Sequence, residues 1–217
     1  MLKREKMGNI QDSSTPQDIV ESRYKYKEKF NHPNLSLNFC PKKYSGVWWE
    51  FARYPLLPWQ TWEENCLRSK AEYTWDENKK ILKIKNTCYT KLPEIKTIYS
   101  FNIFGCYKTK TVEVKNTGES YSLEGIGVIP NKKTPRKINV KFNTPPWNKF
   151  ETDEPNYIIL DTDYDNYSIV IGPYKRNLWV LTRSYSLSKI EGSKIIKIIK
   201  NLDCDPDLLT AHPSSVR

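Results

Sequence analysis

From residue 44 onward the chain is made of short runs rich in Val, Ile, Tyr, Trp and Thr, interrupted by Asn, Asp, Gly and Pro. Runs of this kind predict many short antiparallel strands rather than alternating helices and strands. They fall near residues 46–54, 66–75, 80–89, 97–104, 106–115, 121–129, 137–142, 156–161, 167–172 and 177–184. Two of them alternate with the period of a strand that has one lined and one wet side. In KILKIKNTCY, Leu82, Ile84, Asn86 and Cys88 oppose Lys83 and Lys85; in SKAEYTW, Ser69, Ala71, Tyr73 and Trp75 oppose Lys70, Glu72 and Thr74. The lined faces mix small, polar and aromatic side chains where a solid core would want Leu and Ile. That mixture predicts a partly hollow interior.

One helix is expected, within SLSKIEGSKIIKIIKNL. Ser188 followed three residues later by Glu191 has the spacing of a capping box, which satisfies free backbone N–H groups at a helix start. Ile195, Ile198, Ile199 and Leu202 form an apolar stripe at helical spacing, with Lys194, Lys197 and Lys200 at wet positions. Gly192 costs the first turns about 1 kcal/mol relative to alanine. Many short antiparallel strands followed by one late amphipathic helix predict an all-β fold: an eight-stranded up-and-down barrel with the helix packed outside. Closure removes exposed sheet edges, and about eight strands leave room for one small ligand.

Composition narrows the function. The 217 residues suit one domain with a tail, and 38% hydrophobic residues are enough for a packed interior. Residues 1–35 are polar and charged and are expected to form a mobile N-terminal arm, 36–211 the barrel with its helix, and 212–217 a frayed tail. The net charge of +10 favours anionic partners, including peripheral contact with an anionic membrane. It is spread along the chain without a recognisable nucleic-acid motif, so no specific nucleic-acid role is expected. No segment approaches about 18 apolar residues, and the N-terminus lacks the apolar run of a secretory signal. The expected location is therefore intracellular, with reduced thiols at Cys40, Cys66, Cys88, Cys106 and Cys204.

No cysteine pair has metal-ligand spacing, and the two histidines, His32 and His212, lie near the termini. This argues against a zinc site and against Cys-His or Ser-His-Asp catalysis. Neither a metal nor a cofactor is expected.

Three segments resemble one family, and they occur in its order. YSGVWWEFAR resembles the Gly-x-Trp signature of the lipocalins, in the version found in the bacterial lipocalin and apolipoprotein D group. YIILDTDYDNYSIVIGP resembles the family's Thr-Asp-Tyr segment, here with Asp163 and Tyr164, and NLWVLTRSYSL resembles its last strand, ending in Arg183. The resemblance implies that Trp48, next but one after Gly46, closes the bottom of the barrel with Arg183 lying across it. Trp49, of opposite parity, should face outward under the helix. Residues 90–120 exceed the family's usual connection by about one hairpin, which either adds two strands or folds over a barrel mouth. A Cys66–Cys204 bridge is a further candidate, by analogy with the cysteines of apolipoprotein D.

Parity and resemblance together line the cavity with Ala71, Tyr73, Ile84, Asn86, Cys88, Leu160 and Trp179. Trp179 corresponds to the pocket tryptophan of the family's last strand, and Tyr73 and Asn86 to pocket positions of its second and third strands. Such a slot suits a molecule with an apolar body and one polar end, such as a fatty acid, a lysophospholipid or an isoprenoid. The expected function is non-catalytic binding, with transport or sequestration of that molecule. Two alternatives remain open: an enzyme on the same barrel using Cys88 and Glu50, and an interaction module using the inserted hairpin and the basic surface.

Overall fold

The computed structural model describes residues 38–54, 66–90, 95–101, 107–113, 120–144, 155–172, 177–184, 187–202 and 204–211, with the backbone alone for 95–101 and 107–113. The arm expected over 1–35, the tail 212–217, both histidines and Cys106 lie outside the described residues.

A single helical turn, α1 (Pro41–Tyr44), leads into β1 (Gly46–Arg53), followed by β2 (Arg68–Asp76) and β3 (Ile81–Tyr89). A separate hairpin, β4 (Ile95–Phe101) and β5 (Tyr107–Glu113), then interrupts the order. The chain continues through β6 (Ser120–Val128), β7 (Lys137–Phe142), β8 (Tyr157–Thr162), β9 (Tyr167–Ile171) and β10 (Leu178–Thr182). It ends with α2 (Lys189–Asn201), a 3-10 turn at Pro206–Leu208 and a short β11 (Thr210–Ala211). Strands β1, β2, β3, β6, β7, β8, β9 and β10 pair in that order, and β10 pairs back with β1. The result is a closed eight-stranded antiparallel barrel with a helix outside it. The hairpin is a two-stranded sheet of its own, and β3 pairs directly with β6 over its full length. Of the two roles left open for the insertion, adding strands to the barrel is therefore excluded.

The barrel has two cores, one on each side of its wall. Inside lie Trp48, Tyr73, Leu82, Ile84, Ile138, Ile159 and Val170, with Tyr44 from α1 beneath them. Outside, α2 lays Ile195 and Ile199 over Ile158, Leu160, Ile169, Ile171, Leu178 and Val180. Strands β8 to β10 are thus covered on both faces, which explains why they read as nearly unbroken apolar runs while β2 and β3 alternate. The Ser188/Glu191 capping box forms as the spacing predicts: the Glu191 amide donates to Ser188 Oγ at 3.2 Å, and the Ser188 amide donates to Glu191 Oε2 at 2.8 Å.

Two register shifts change which side chains face inward. One lies between Glu50 and Ala52 in β1, the other between Ile159 and Asp161 in β8. A bulge of this kind sets two residues against one on the partner strand and resets the alternation beyond it. Trp49 faces outward as expected but does not lie under α2. It is flanked by Arg68 and Lys70, each 5.8 Å from its ring centroid, with the Tyr89 ring 6.4 Å away. The helix reaches β1 only higher up, at Ala52 and Tyr54.

Candidate functional site

One end of the barrel is shut by side chains. Gly46 begins β1 at φ +105°, and a Cβ there would lie 3.0 Å from Arg183 Nη1. The missing side chain lets the Arg183 guanidinium carbon lie 3.7 Å from the Trp48 ring centroid. Trp48 Nε1 donates to the Tyr44 carbonyl at 2.8 Å, so α1 is tied to the same ring. The loop after β8 completes the closure. Asp163 Oδ1 accepts from the amides of Asp165, Asn166 and Tyr167 at 3.2, 2.8 and 3.0 Å. Partial burial alone would raise the Asp163 carboxyl, but the Asn166 side chain and these amides hold it below its ordinary value. Tyr164 takes the left-handed conformation at φ 68°, and its carbonyl accepts from Arg183 Nε at 2.9 Å.

Beside Trp48, the floor of the interior carries a chain of hydroxyls. Ser168 Oγ and Tyr44 Oη are 3.0 Å apart, Tyr44 and Tyr157 are 3.0 Å apart, and Tyr157 and Tyr73 are 2.8 Å apart. Burial pushes Tyr44 up to about 12, with Tyr73 and Tyr157 also displaced upward, so all three are neutral phenols at physiological pH.

Burial then falls toward the other end. Leu82, Ile138, Ile159 and Val170 near the floor are essentially inaccessible. Leu123, Val140, Phe142 and Trp179, also on inward positions but higher, are only half-buried, and Tyr121 at the rim is exposed. The upper interior also holds polar groups. Glu50 and Arg53 form an ion pair at 3.0 Å, and Ser69 and Asn86 occupy inward positions on β2 and β3. In a regular strand residues three apart face opposite ways. The bulge in β1 turns both Glu50 and Arg53 inward, opposite Leu181 and Trp179 respectively. Burial pushes the Glu50 carboxyl above its ordinary range, against the pull of Arg53. Counting by twos gives no sign of this pair, and only knowledge of the bulge would have revealed it.

Of the cavity residues expected from sequence, Ala71, Tyr73, Ile84, Asn86 and Trp179 stand on the inward face of the barrel. Leu160 does not: it belongs to the outer cluster under α2. Counting back by two from the inward-facing Thr162 places Leu160 inside, and the β8 bulge reverses that. Cys88 is fully buried and bonded to Cys66, so it is not a free thiol. The same bond removes the Cys66–Cys204 pairing, for Cys204 is a free, buried thiol packed with the helix. It also overturns the expectation of reduced thiols for this pair. The Cys66–Cys88 pairing does not follow from strand alternation, because Cys66 lies just outside the regular β2–β3 register, which begins at Arg68.

Residues 103–214 match the family model of the lipocalin-like domain. The chain belongs to the lipocalin-like family. Among lipocalin relatives it is 26% identical to the Lazarillo protein of Schistocerca americana over 188 residues, covering 83% of this chain and 72% of that one. It is 28% identical to apolipoprotein D of Macaca fascicularis over 182 residues, covering 80% and 74% of the two chains. Lobster apocrustacyanin A1 has the same fold, with a TM-score of 0.51 at 22% identity, covering 78% of this chain and 76% of that one. The lipocalin signature is thus a set of contacts: Gly46, Trp48, Asp163, Tyr164 and Arg183 all converge on the closed end.

Proposed function

We propose that this lipocalin binds a small lipophilic molecule inside its barrel and carries or sequesters it without changing it chemically. The observation that carries the reading is the loss of burial along the interior, from an inaccessible Trp48 at the floor to a half-buried Trp179 and an exposed Tyr121 near the rim. Side chains on the inside of a closed ring keep exposure only where nothing fills the space between them. Such a space, lined mainly by apolar side chains with a few polar groups, suits an apolar body with one polar end, the class that includes fatty acids, lysophospholipids and isoprenoids. Ten buried methylenes contribute about 8 kcal/mol before ordering costs, which puts micromolar affinity within reach. Membership of the lipocalin-like family supports the same reading. The enzyme alternative has lost its nucleophile, since Cys88 is held in a disulfide, and Glu50 is engaged by Arg53. The Cys66–Cys88 bond also favours service in an oxidising compartment.

Native mass spectrometry of gently purified protein, followed by solvent extraction, tests the proposal. A stoichiometric lipophile is expected. An apo mass that stays unchanged after incubation with fatty acids, lysolipids and isoprenoids would overturn it.

A further inference from the structure

We infer that the ligand of this barrel is an uncharged amphiphile ending in a hydrogen-bond donor, an alcohol rather than a carboxylate, whose hydroxyl is received by Ser69 and Asn86 beside the Glu50–Arg53 pair. The inference rests on the carrier reading and specifies the polar end of the molecule carried.

The polar groups lie at two adjacent levels of the interior. Asn86 lies opposite Ala71, which lies opposite Trp48 of the floor; one step higher, Ser69 lies opposite Cys88. Continued upward, the β1–β2 register brings Glu50 level with Ser69. The interior around them is otherwise largely apolar, with Ile84, Leu82, Ile138 and Ile159 near the floor and Leu123, Phe142 and Trp179 in its more accessible part, while the floor hydroxyls of Tyr44, Tyr73 and Tyr157 bond one another. A ligand therefore sets its hydrocarbon against these apolar side chains and its polar end against this group.

The group is short of donors. Among the described residues, Asn86 Oδ1 and Ser69 Oγ are buried without a hydrogen bond, while Glu50 Oε1 is held by Arg53 Nη1 at 3.0 Å. Glu50 and Ser69 are each more than nine-tenths buried. Buried polar atoms are normally bonded, and an unmet acceptor retains the cost of its lost hydration. The asymmetry is chemical: the Asn86 amide oxygen can only accept, and the serine hydroxyl can do either. What the cluster lacks is an O–H or N–H.

Charge decides between the donors. Arg53 lies 3.0 Å from Glu50 and its charge is balanced there. A carboxylate ligand would set a second anion beside Glu50 in a poorly hydrated space, and an ammonium would set a second cation beside Arg53. A neutral hydroxyl supplies the missing donor and disturbs neither partner.

The test uses three probes of equal chain length on the intact protein, read by quenching of intrinsic tryptophan fluorescence: 1-dodecanol, dodecyl methyl ether and dodecanoate. Dodecanol is expected to bind about 10-fold more tightly than the ether, which keeps the oxygen but has no proton to give. It is also expected to bind more tightly than dodecanoate at neutral pH. In Asn86→Leu and Ser69→Ala the alcohol-to-ether ratio should fall toward one. Should Asn86→Leu fail to fold by circular dichroism, Ser69→Ala and the wild-type probe series still decide. Equal binding of alcohol and ether, or tightest binding of dodecanoate, would overturn this inference and leave the carrier reading standing. Failure of all three probes to bind would overturn both.

Discussion

The Arg183 guanidinium lies 3.7 Å from the centroid of the Trp48 ring, and its edges are occupied by carbonyls from two parts of the chain. Nε donates to Tyr164 at 2.9 Å, Nη1 to Val47 at 2.8 Å, and Nη2 to Ser45 at 3.0 Å. One side chain thus joins the β8–β9 loop, the α1–β1 junction and β10. A planar fork makes these bonds together, and an ammonium cannot. Arg183→Lys is expected to lose about 2 kcal/mol of stability and Arg183→Ala about 3 kcal/mol, from charged hydrogen bonds and a cation–π contact at a half-buried site. Urea denaturation measures both, and a lysine variant as stable as the wild type would refute the account.

The Cys66–Cys88 bond ties the segment entering β2 to the upper part of β3, with a sequence separation of 22. Closing a loop of that size contributes about 3 kcal/mol, chiefly by restricting the unfolded chain. Reduction, or Cys66→Ser with Cys88→Ser, should lower the free energy of unfolding by about that amount. The barrel should still form, because β2 and β3 pair along nine positions without help from the bond. Urea curves with and without reductant give the difference.

The hydroxyl chain on the barrel floor predicts how the protein unfolds in alkali. A tyrosine in an unfolded chain ionises near pH 10, whereas burial holds Tyr44 neutral to about 12 and displaces Tyr73 and Tyr157 in the same direction. Above pH 10 the unfolded state has therefore lost protons that the folded state keeps. This stabilisation is complete below pH 10 and declines as pH rises toward 12, by about 1.4 kcal/mol per pH unit for each tyrosine. Tyrosinate absorbance of these residues should appear only together with loss of structure. In Tyr157→Phe, stability at pH 8 should be lower, since two hydrogen bonds go, and the alkaline slope should be shallower by one tyrosine. A slope unchanged by the substitution would contradict the scheme.

What could be read from sequence followed the two periodicities. Leu82, Ile84 and Asn86 alternate strictly, β3 pairs without a break on both sides, and their faces were assigned correctly. The Ser188/Glu191 cap and the Ile195/Ile199 stripe were equally legible, since both depend on spacing within one helix. Leu160 and the Glu50–Arg53 pair were not, because a bulge inserts one residue without a marker in the composition and inverts every assignment beyond it. The Cys66–Cys88 bond was missed for a related reason. Cys66 lies outside the paired register of β2 and β3, and an odd number of cysteines offers several pairings with nothing local to choose among them.

Two glycines, finally, should respond to alanine with opposite signs. At Gly46 the backbone has φ +105°, a region alanine rarely adopts, and the new Cβ would lie 3.0 Å from Arg183 Nη1. The substitution is expected to cost about 1–3 kcal/mol in backbone strain and to displace the guanidinium from Trp48. Gly192 lies inside α2, where an added Cβ meets nothing within 4 Å. There alanine removes conformational freedom from the unfolded chain and should stabilise by about 0.5–1 kcal/mol. Thermal melts of Gly46→Ala, Gly192→Ala and the double variant should show a loss, a gain and their near sum, since the two sites share no contact. A destabilising Gly192→Ala would mean that α2 needs its glycine for a reason other than space.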